Sequence, residues 1–189
     1  MNIFINFINR VIAVILLILS ILPFIIIAFG IKISSNGPII HWSKRIGKDN
    51  EIFLMPKFRT LEINTPDVAT HILINHDKYS FFFGSILRKS SIDELPQLWS
   101  VVRGDMNFVG PRPALHNQID LKKLRTEKNI QILKPGITGW AQVNGRDEIS
   151  LSEKVNYDFD YLKKRSLLFD LYIIFLTVIS VVKKKDINH

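Results

Sequence analysis

Asp93 and Glu94 stand side by side in the stretch SSIDELPQL, Ser90 to Leu98, just ahead of Pro96. Adjacent carboxylates invite a structural or a chemical explanation. In the structural one, Ser91 and Glu94 form an S-x-x-E capping box at a helix start. Pro96 would then fall at the fifth helical position, where it deletes a backbone hydrogen bond and strikes the preceding turn. Proline prefers the first helical turn. A helix beginning near Leu95 or Pro96 avoids the conflict and leaves both acids at its N-terminal mouth, where the dipole favours anions. An acidic pair held there can do chemistry.

Composition narrows which chemistry. There is no Cys, so disulfides and thiolate zinc sites are excluded. Of five histidines only His71 and His76 lie close together, at a spacing that sets them on different faces of a helix, which argues against a histidine metal site. No Walker A, G-x-G-x-x-G or G-x-S-x-G pattern occurs, and no internal repeat. A formal charge of +8 suits nucleic acid, anionic lipid or phosphorylated substrates. No nucleic-acid-binding motif or interleaved aromatic array accompanies that charge, so nucleic acid is not an expected partner.

The elements that must position the acids begin with an apolar segment. Val11 to Ile31, VIAVILLILSILPFIIIAFGI, runs 21 residues without a charge. Crossing a bilayer core takes roughly 20 helical residues, so this segment is expected in a membrane. It exceeds the ~7–15 residue apolar core of a signal peptide and lacks an A-x-A exit. Arg10 flanks one side and Lys32, Lys44, Arg45 and Lys48 follow the other, which favours a cytoplasmic C-terminal side. Pro23 removes one helix bond, with Ser20 a turn earlier able to bond a freed carbonyl. A re-entrant helix and a kinked span both satisfy this pattern.

Behind it, 189 residues suit one domain plus this appendage. The expected division is a membrane helix over 1–33 and a globular domain over 34–189. The fold class is α/β, mostly helical with a few short strands. A strand is expected over Ile52–Met55 with a basic exit at Lys57-Phe58-Arg59, then mostly loop from Thr60 to Ser80. Helices are expected over Pro96–Val102, Ala114–Lys128 and Ser152–Lys164. Gly104–Pro113 should be a loop, and Leu133–Arg146 a loop with one short strand. The last helix, 169–182, repeats apolar residues at helical spacing on one face, while its other face is hardly polar. Followed by Lys183-Lys184-Lys185, it suits a membrane surface, and equally a buried core position.

The runs LRKSSIDELPQLWSVVRGDMNFVGPRPAL (Leu87–Leu115) and KPGITGWAQVNGRDE (Lys134–Glu148), with FLMPKFRTL (Phe53–Leu61) upstream, resemble bacterial sugar transferases. More narrowly they resemble the monotopic phosphoglycosyl transferases that start capsule, O-antigen and glycan assembly at the cytoplasmic face of the bacterial inner membrane. The resemblance implies transfer of a sugar phosphate from a UDP-sugar to polyprenyl phosphate, releasing UMP. It maps the family's Asp-Glu dyad onto Asp93, as nucleophile forming a phosphosugar-aspartyl intermediate, and Glu94, as a ligand of Mg²⁺. Phosphate oxygens gain charge in such a displacement, and arginine can meet two at once. Arg88 and Arg112 are the first candidates; Arg146 is assigned to the nucleotide, Lys57 and Arg59 to the lipid phosphate. Asp158 matches a family acidic position without an assigned role.

One departure stands out: the family commonly has Ser-Pro at the break in the membrane helix, whereas Leu22 precedes Pro23 here. The stretches ALHNQIDL and INTPDVATH look closest to members that use UDP-linked N-acetylated 6-deoxyhexosamines. Inner-membrane lipid is an expected partner. The oligomeric state stays open, with a homodimer as one option. A catalytically silent membrane scaffold is the competing reading, and intact Asp93, Glu94 and Arg112 argue against it.

Overall fold

The computed structural model describes residues 2–63, 65, 79–145 and 149–182. Arg146, His71, His76, Lys183–Lys185 and most of the segment between Thr60 and Ser80 lie outside the described residues.

The apolar segment forms two helices, α1 (Asn2–Leu19) and α2 (Ile21–Ser34), bent by 60°. The bend has a local cause. Pro23 has no N–H for the Leu19 carbonyl four residues back, and its ring crowds that carbonyl, so the helix yields one residue later at Ser20. Ser20 Oγ bonds the Leu16 carbonyl at 2.7 Å, a back-bond that itself favours bending. Among the described residues no single helix is long and apolar enough to cross a membrane; the bent pair is, by length and composition.

Two strands follow, β1 (Ile40–Ile46) and β2 (Ile52–Phe58), paired antiparallel with Ile40 opposite Phe58 and Ile46 opposite Ile52. Asp49 and Asn50 make the left-handed turn between them. Then come α3 (Phe82–Lys89), a 3₁₀ turn over Ile92–Gln97, α4 (Leu98–Arg103), β3 (Asn107–Val109), α5 (Ile119–Glu127), β4 (Gly136–Thr138), the one-turn α6 (Trp140–Val143), α7 (Leu151–Lys164) and α8 (Leu167–Val182). β3 and β4 pair in parallel. The expected mixture of many helices and a few short strands is the one observed.

Three apolar clusters hold the elements together. Ala13 of α1 packs with Met55, Leu98, Val101 and Met106. Ile27 and Ile31 of α2 pack with Phe58, Phe81 and Leu87. The third joins Val109, Leu121, Ile130, Val155, Tyr161 and Ile173, covered by Trp140 and Phe169. In α8 this leaves Ile173 fully buried while Leu168, Leu171, Phe175 and Val178 on the other side are exposed. Helix α8 therefore has both a core face and an uncovered apolar face.

Several boundaries differ from expectation for identifiable reasons. The helix carrying the acids starts at Ile92, not at Leu95 or Pro96, because the tighter 3₁₀ turn spares Pro96 the α-helical clash with a carbonyl four residues back. Ser91 makes no side-chain cap there. The chain does contain a capping box, but at Ser150 and Glu153, opening α7. Helix α5 begins five residues later than Ala114, since Leu115 bridges to Arg45 and Ala114 O accepts from Ile46 N at 2.9 Å. Glycine-flanked α6 forms because Trp140 is packed edge-on against Tyr157 and tilted against Phe169 and Tyr172.

Candidate active site

Four elements converge on Asp93 and Glu94. Strand β2 supplies Lys57, α3 supplies Arg88 from its last turn, the 3₁₀ turn supplies both acids, and the loop after β3 supplies Arg112. Close backbone approach makes the convergence feasible. A side chain on Gly84 would run into the Thr60 carbonyl, so glycine lets α3 lie directly on the exit of β2. Gly110 and Gly136 likewise face each other's backbone, which is what the GPRP and KPGITG motifs have in common.

The two acids sit in contrasting surroundings. Glu94 Oε1 accepts from Lys57 Nζ at 2.6 Å and from Arg112 Nη2 at 3.1 Å. Both cations therefore meet at one carboxylate oxygen. Asp93 is 7% exposed, and among the described residues nothing donates a hydrogen bond to its carboxylate. Burial pushes its pKa up to about 6, with Lys57 pulling it back, Glu94 adding to the rise, and Arg88 and Arg112 opposing it. Burial also lowers the pKa of Lys57, which Glu94 counteracts. Arg88 donates Nη2 to Thr60 Oγ1 at 3.0 Å, whereas its buried Nη1 has no hydrogen-bond partner among the described residues.

So one acid is paired with two cations, and its neighbour is desolvated, has no hydrogen bond among the described residues, and lies near Lys57, Arg88 and Arg112. That arrangement suits a carboxylate nucleophile attacking an anionic phosphorus centre. The orphaned Arg88 N–H is a donor for one of the phosphate oxygens. Among the described residues no three His, Asp or Glu side chains gather as a metal cage. Mg²⁺ does not require one, since it is commonly held by one or two carboxylates plus substrate phosphates. Glu94 with Asp93 beside it fits that donor set.

Arg59 stands apart from this cluster. It donates Nε to the Pro38 carbonyl at 2.7 Å, Nη1 to Ser35 Oγ at 2.8 Å and Nη2 to the Ser35 carbonyl at 2.9 Å, with Phe81 under its guanidinium. This buried fork ties the end of α2 to the exit of β2. Arg59→Ala is expected to leave those carbonyls unpaired and to lower stability by about 2–3 kcal/mol, with Arg59→Lys recovering only part of it. Thermal unfolding of the two variants checks this.

The family model for bacterial sugar transferase matches residues 1–184. The chain belongs to the bacterial sugar transferase family. It is 42% identical over 168 residues, 84% of this chain, to a UDP-glucose:undecaprenyl-phosphate glucose-1-phosphate transferase from Xanthomonas campestris pv. campestris, 34% of whose length is covered. It is 33% identical over 187 residues to the exopolysaccharide production protein ExoY of Sinorhizobium fredii, covering 90% of this chain and 82% of that one. A UDP-N-acetylgalactosamine-undecaprenyl-phosphate N-acetylgalactosaminephosphotransferase from Aeromonas hydrophila is 35% identical over 156 residues, 80% of this chain and 37% of that one. This sugar transferase chain thus spans about a third of the first and third relatives.

Within this family member the structure brings together Lys57, Arg88, Asp93, Glu94 and Arg112. Arg125 was not singled out by the sequence, although Arg125 and Leu121 share a buried helical face. Its guanidinium binds the buried carboxylate of Asp158, donating Nε and Nη2 to Oδ2 at 3.0 and 2.7 Å.

Proposed function

We propose that the chain transfers a sugar 1-phosphate from a UDP-sugar to polyprenyl phosphate, as a membrane step of surface-glycan synthesis. The observation that carries this reading is the contrast between the paired Glu94 and the buried Asp93, which has no hydrogen bond to its carboxylate among the described residues. Asp93 Oδ attacks the sugar-bearing phosphorus, the bond to the bridging oxygen breaks, and UMP leaves with that oxygen. A polyprenyl phosphate oxygen then attacks the same phosphorus, the bond to Asp93 breaks, and the carboxylate returns. Splitting the transfer this way is ordinary covalent catalysis. Arg88 Nη1 meets a phosphate oxygen, while Lys57 and Arg112 hold Glu94 and keep positive potential at the phosphorus. Bound Mg²⁺ would neutralise diphosphate charge, with Glu94 as the residue holding it.

The finer part is the donor. The relatives' names carry glucose and N-acetylgalactosamine, whereas the sequence resemblance points to an N-acetylated 6-deoxyhexosamine, which is our choice. A pocket built to bond an acetamido group rejects a plain hexose strongly, because its buried polar groups are left unpaired. Purified full-length protein with undecaprenyl phosphate and a panel of UDP-sugars is expected to release UMP fastest with the N-acetylated deoxy sugars. UDP-galactose or UDP-glucose releasing UMP as fast would overturn the donor and leave the reaction. No UMP from any donor would overturn both.

We further propose that α1 and α2 enter and leave the cytoplasmic face of the inner membrane as one re-entrant hairpin. Both limbs touch the same globular domain. On α1, Asn9 Oδ1 accepts from Phe108 N at 3.1 Å and Ala13 is fully buried. On α2, Ile27 and Ile31 are buried against Phe58 and Phe81. The exposed apolar residues Ile18, Leu19, Ile21 and Leu22 gather at the bend between them. With no native Cys to interfere, Asn2→Cys and Asn50→Cys should both be labelled from the cytoplasmic side. Labelling of Asn2→Cys only from outside would mean a spanning helix, and Pro23→Leu is expected to push the chain that way by restoring a continuous helix.

A further inference from the structure

We infer that Asp158 and Arg125 are a positioning pair for Arg112, the ion pair between α7 and α5 holding the Arg112 main chain and thereby setting where its guanidinium meets Glu94. The effect on rate rests on the transfer reaction proposed above.

The loop from Gly110 to Ala114 has few means of holding itself. Pro111 and Pro113, on either side of Arg112, have no N–H to donate. Its carbonyls are taken one by one from outside. Pro111 O accepts from Gly136 N at 3.0 Å, Arg112 O from Arg125 Nη1 at 2.9 Å, Pro113 O from Arg45 Nη1 at 3.2 Å and Ala114 O from Ile46 N at 2.9 Å. Gly110, Pro111, Pro113 and Ala114 are buried, so packing confines the loop, and these bonds fix where each carbonyl points within it.

Arg125 is the residue that holds the carbonyl of Arg112 itself. Two of its nitrogens go to Asp158 Oδ2 and the third to Arg112, so the planar fork fixes the angle between its two recipients. Asp158 is 1% exposed, which leaves its carboxylate little freedom to move. Asp158 aims Arg125, Arg125 pins the Arg112 carbonyl, and Arg112 Nη2 reaches Glu94. The ordinary alternative is a buried ion pair that merely joins two helices.

Arg125→Lys separates the two roles. It keeps the charge beside Asp158, but a single ammonium on a flexible stem does not reproduce a fork shared between a carboxylate and the Arg112 carbonyl. Hydrogen exchange of the 110–116 segment and UMP release are measured on the full chain for wild type, Arg125→Lys, Arg112→Ala and the double variant. Exchange in 110–116 is expected to rise about tenfold in Arg125→Lys while that of α7 stays unchanged. The transfer rate should fall by about 10–100-fold, as small misplacements of catalytic groups do. In the Arg112→Ala background the same change should cost less than about threefold, because the group being positioned is already gone.

Equal losses in the two backgrounds would reduce the pair to a folding role and overturn the inference. Unchanged exchange in 110–116 would do the same. If Arg125→Lys does not fold, Asp158→Asn, which is nearly isosteric, is put through the same comparison with the same expected and overturning results. Should wild type release no UMP from any donor, the proposed reaction fails. The exchange measurement still decides the positioning: faster exchange in 110–116 supports it and unchanged exchange overturns it.

Discussion

Asp93→Asn is expected to abolish transfer, by at least about 10³-fold, and at the same time to make the protein more stable at neutral pH. The loss follows from removing the proposed nucleophile: no phosphosugar adduct can form on an amide in place of the carboxylate. The gain follows from burial. The folded chain holds the Asp93 proton up to about pH 6, whereas the unfolded chain gives it up near 3.8. Between those values the folded state binds more protons than the unfolded one, so wild-type stability falls as pH rises through that window and levels off above it. At 1.36 kcal/mol per unit, the buried carboxylate costs up to about 3 kcal/mol at pH 7.5, which Asn does not incur. Chemical unfolding in detergent should therefore show the Asn variant ahead at pH 7.5 and level with wild type near pH 4. The same proton governs rate: wild-type transfer should drop about tenfold per unit below pH 6, as the nucleophile is neutralised. An Asn variant that turns over at the wild-type rate would remove Asp93 from the chemistry. One that is no more stable at pH 7.5 than at pH 4, relative to wild type, would mean its carboxylate is not desolvated.

What could be read from the chain and what could not divides along physical lines. Asp93, Glu94 and Pro96 lie within one turn, so local rules of helix starts brought the acids to attention, and the GPRP motif marked Arg112 by its stiff flanks. The bend was legible for the same reason, because Pro23 acts on the carbonyl four residues back whatever else surrounds it. A basic residue at a strand exit looks like a phosphate ligand, and nothing local reveals that the Arg59 guanidinium reaches the Ser35 and Pro38 carbonyls, 24 and 21 residues away. Strand β1 was missed because its burial pattern follows no clean alternation. The Arg125–Asp158 pair joins positions 33 apart, on two helices whose sequences are mostly polar and charged. A signal did exist, since Asp158 falls on the same buried face of α7 as Val155 and Tyr161. A carboxylate inside an apolar stripe needs a cation, and the matching one is the arginine on the buried face of α5.

Glu94→Gln should move stability in the opposite direction from Asp93→Asn, although the residues are neighbours. Glu94 Oε1 is the shared acceptor for Lys57 and Arg112, at 2.6 and 3.1 Å, and the Lys57 and Glu94 side chains are 17% and 16% exposed. An amide can accept from these donors but cannot balance their charge. Removing one partner of a largely buried ion pair typically costs about 3–5 kcal/mol, most of it from the charge left behind. Here the stranded charge has an exit. Burial already lowers the pKa of Lys57, and Glu94 is the largest influence holding it up, so losing that carboxylate lowers it further. The folded Gln variant then binds fewer protons than its unfolded chain, and its stability rises with pH until Lys57 would also be neutral when unfolded, near 10.5. Lys57 is already lowered in wild type, so the deficit should shrink only as pH rises through the range where the variant's Lys57 has lost its proton and the wild-type Lys57 has not, read from chemical unfolding across a pH series. Transfer should fall by about 10²–10³-fold, because Arg112 and Lys57 lose the anion that orients them. The Mg²⁺ concentration for half-maximal rate should rise with it. A normal Mg²⁺ titration would take Glu94 out of the metal role while leaving its pairing with the two cations intact. Wild-type stability at pH 7 would mean that those cations do not depend on its charge.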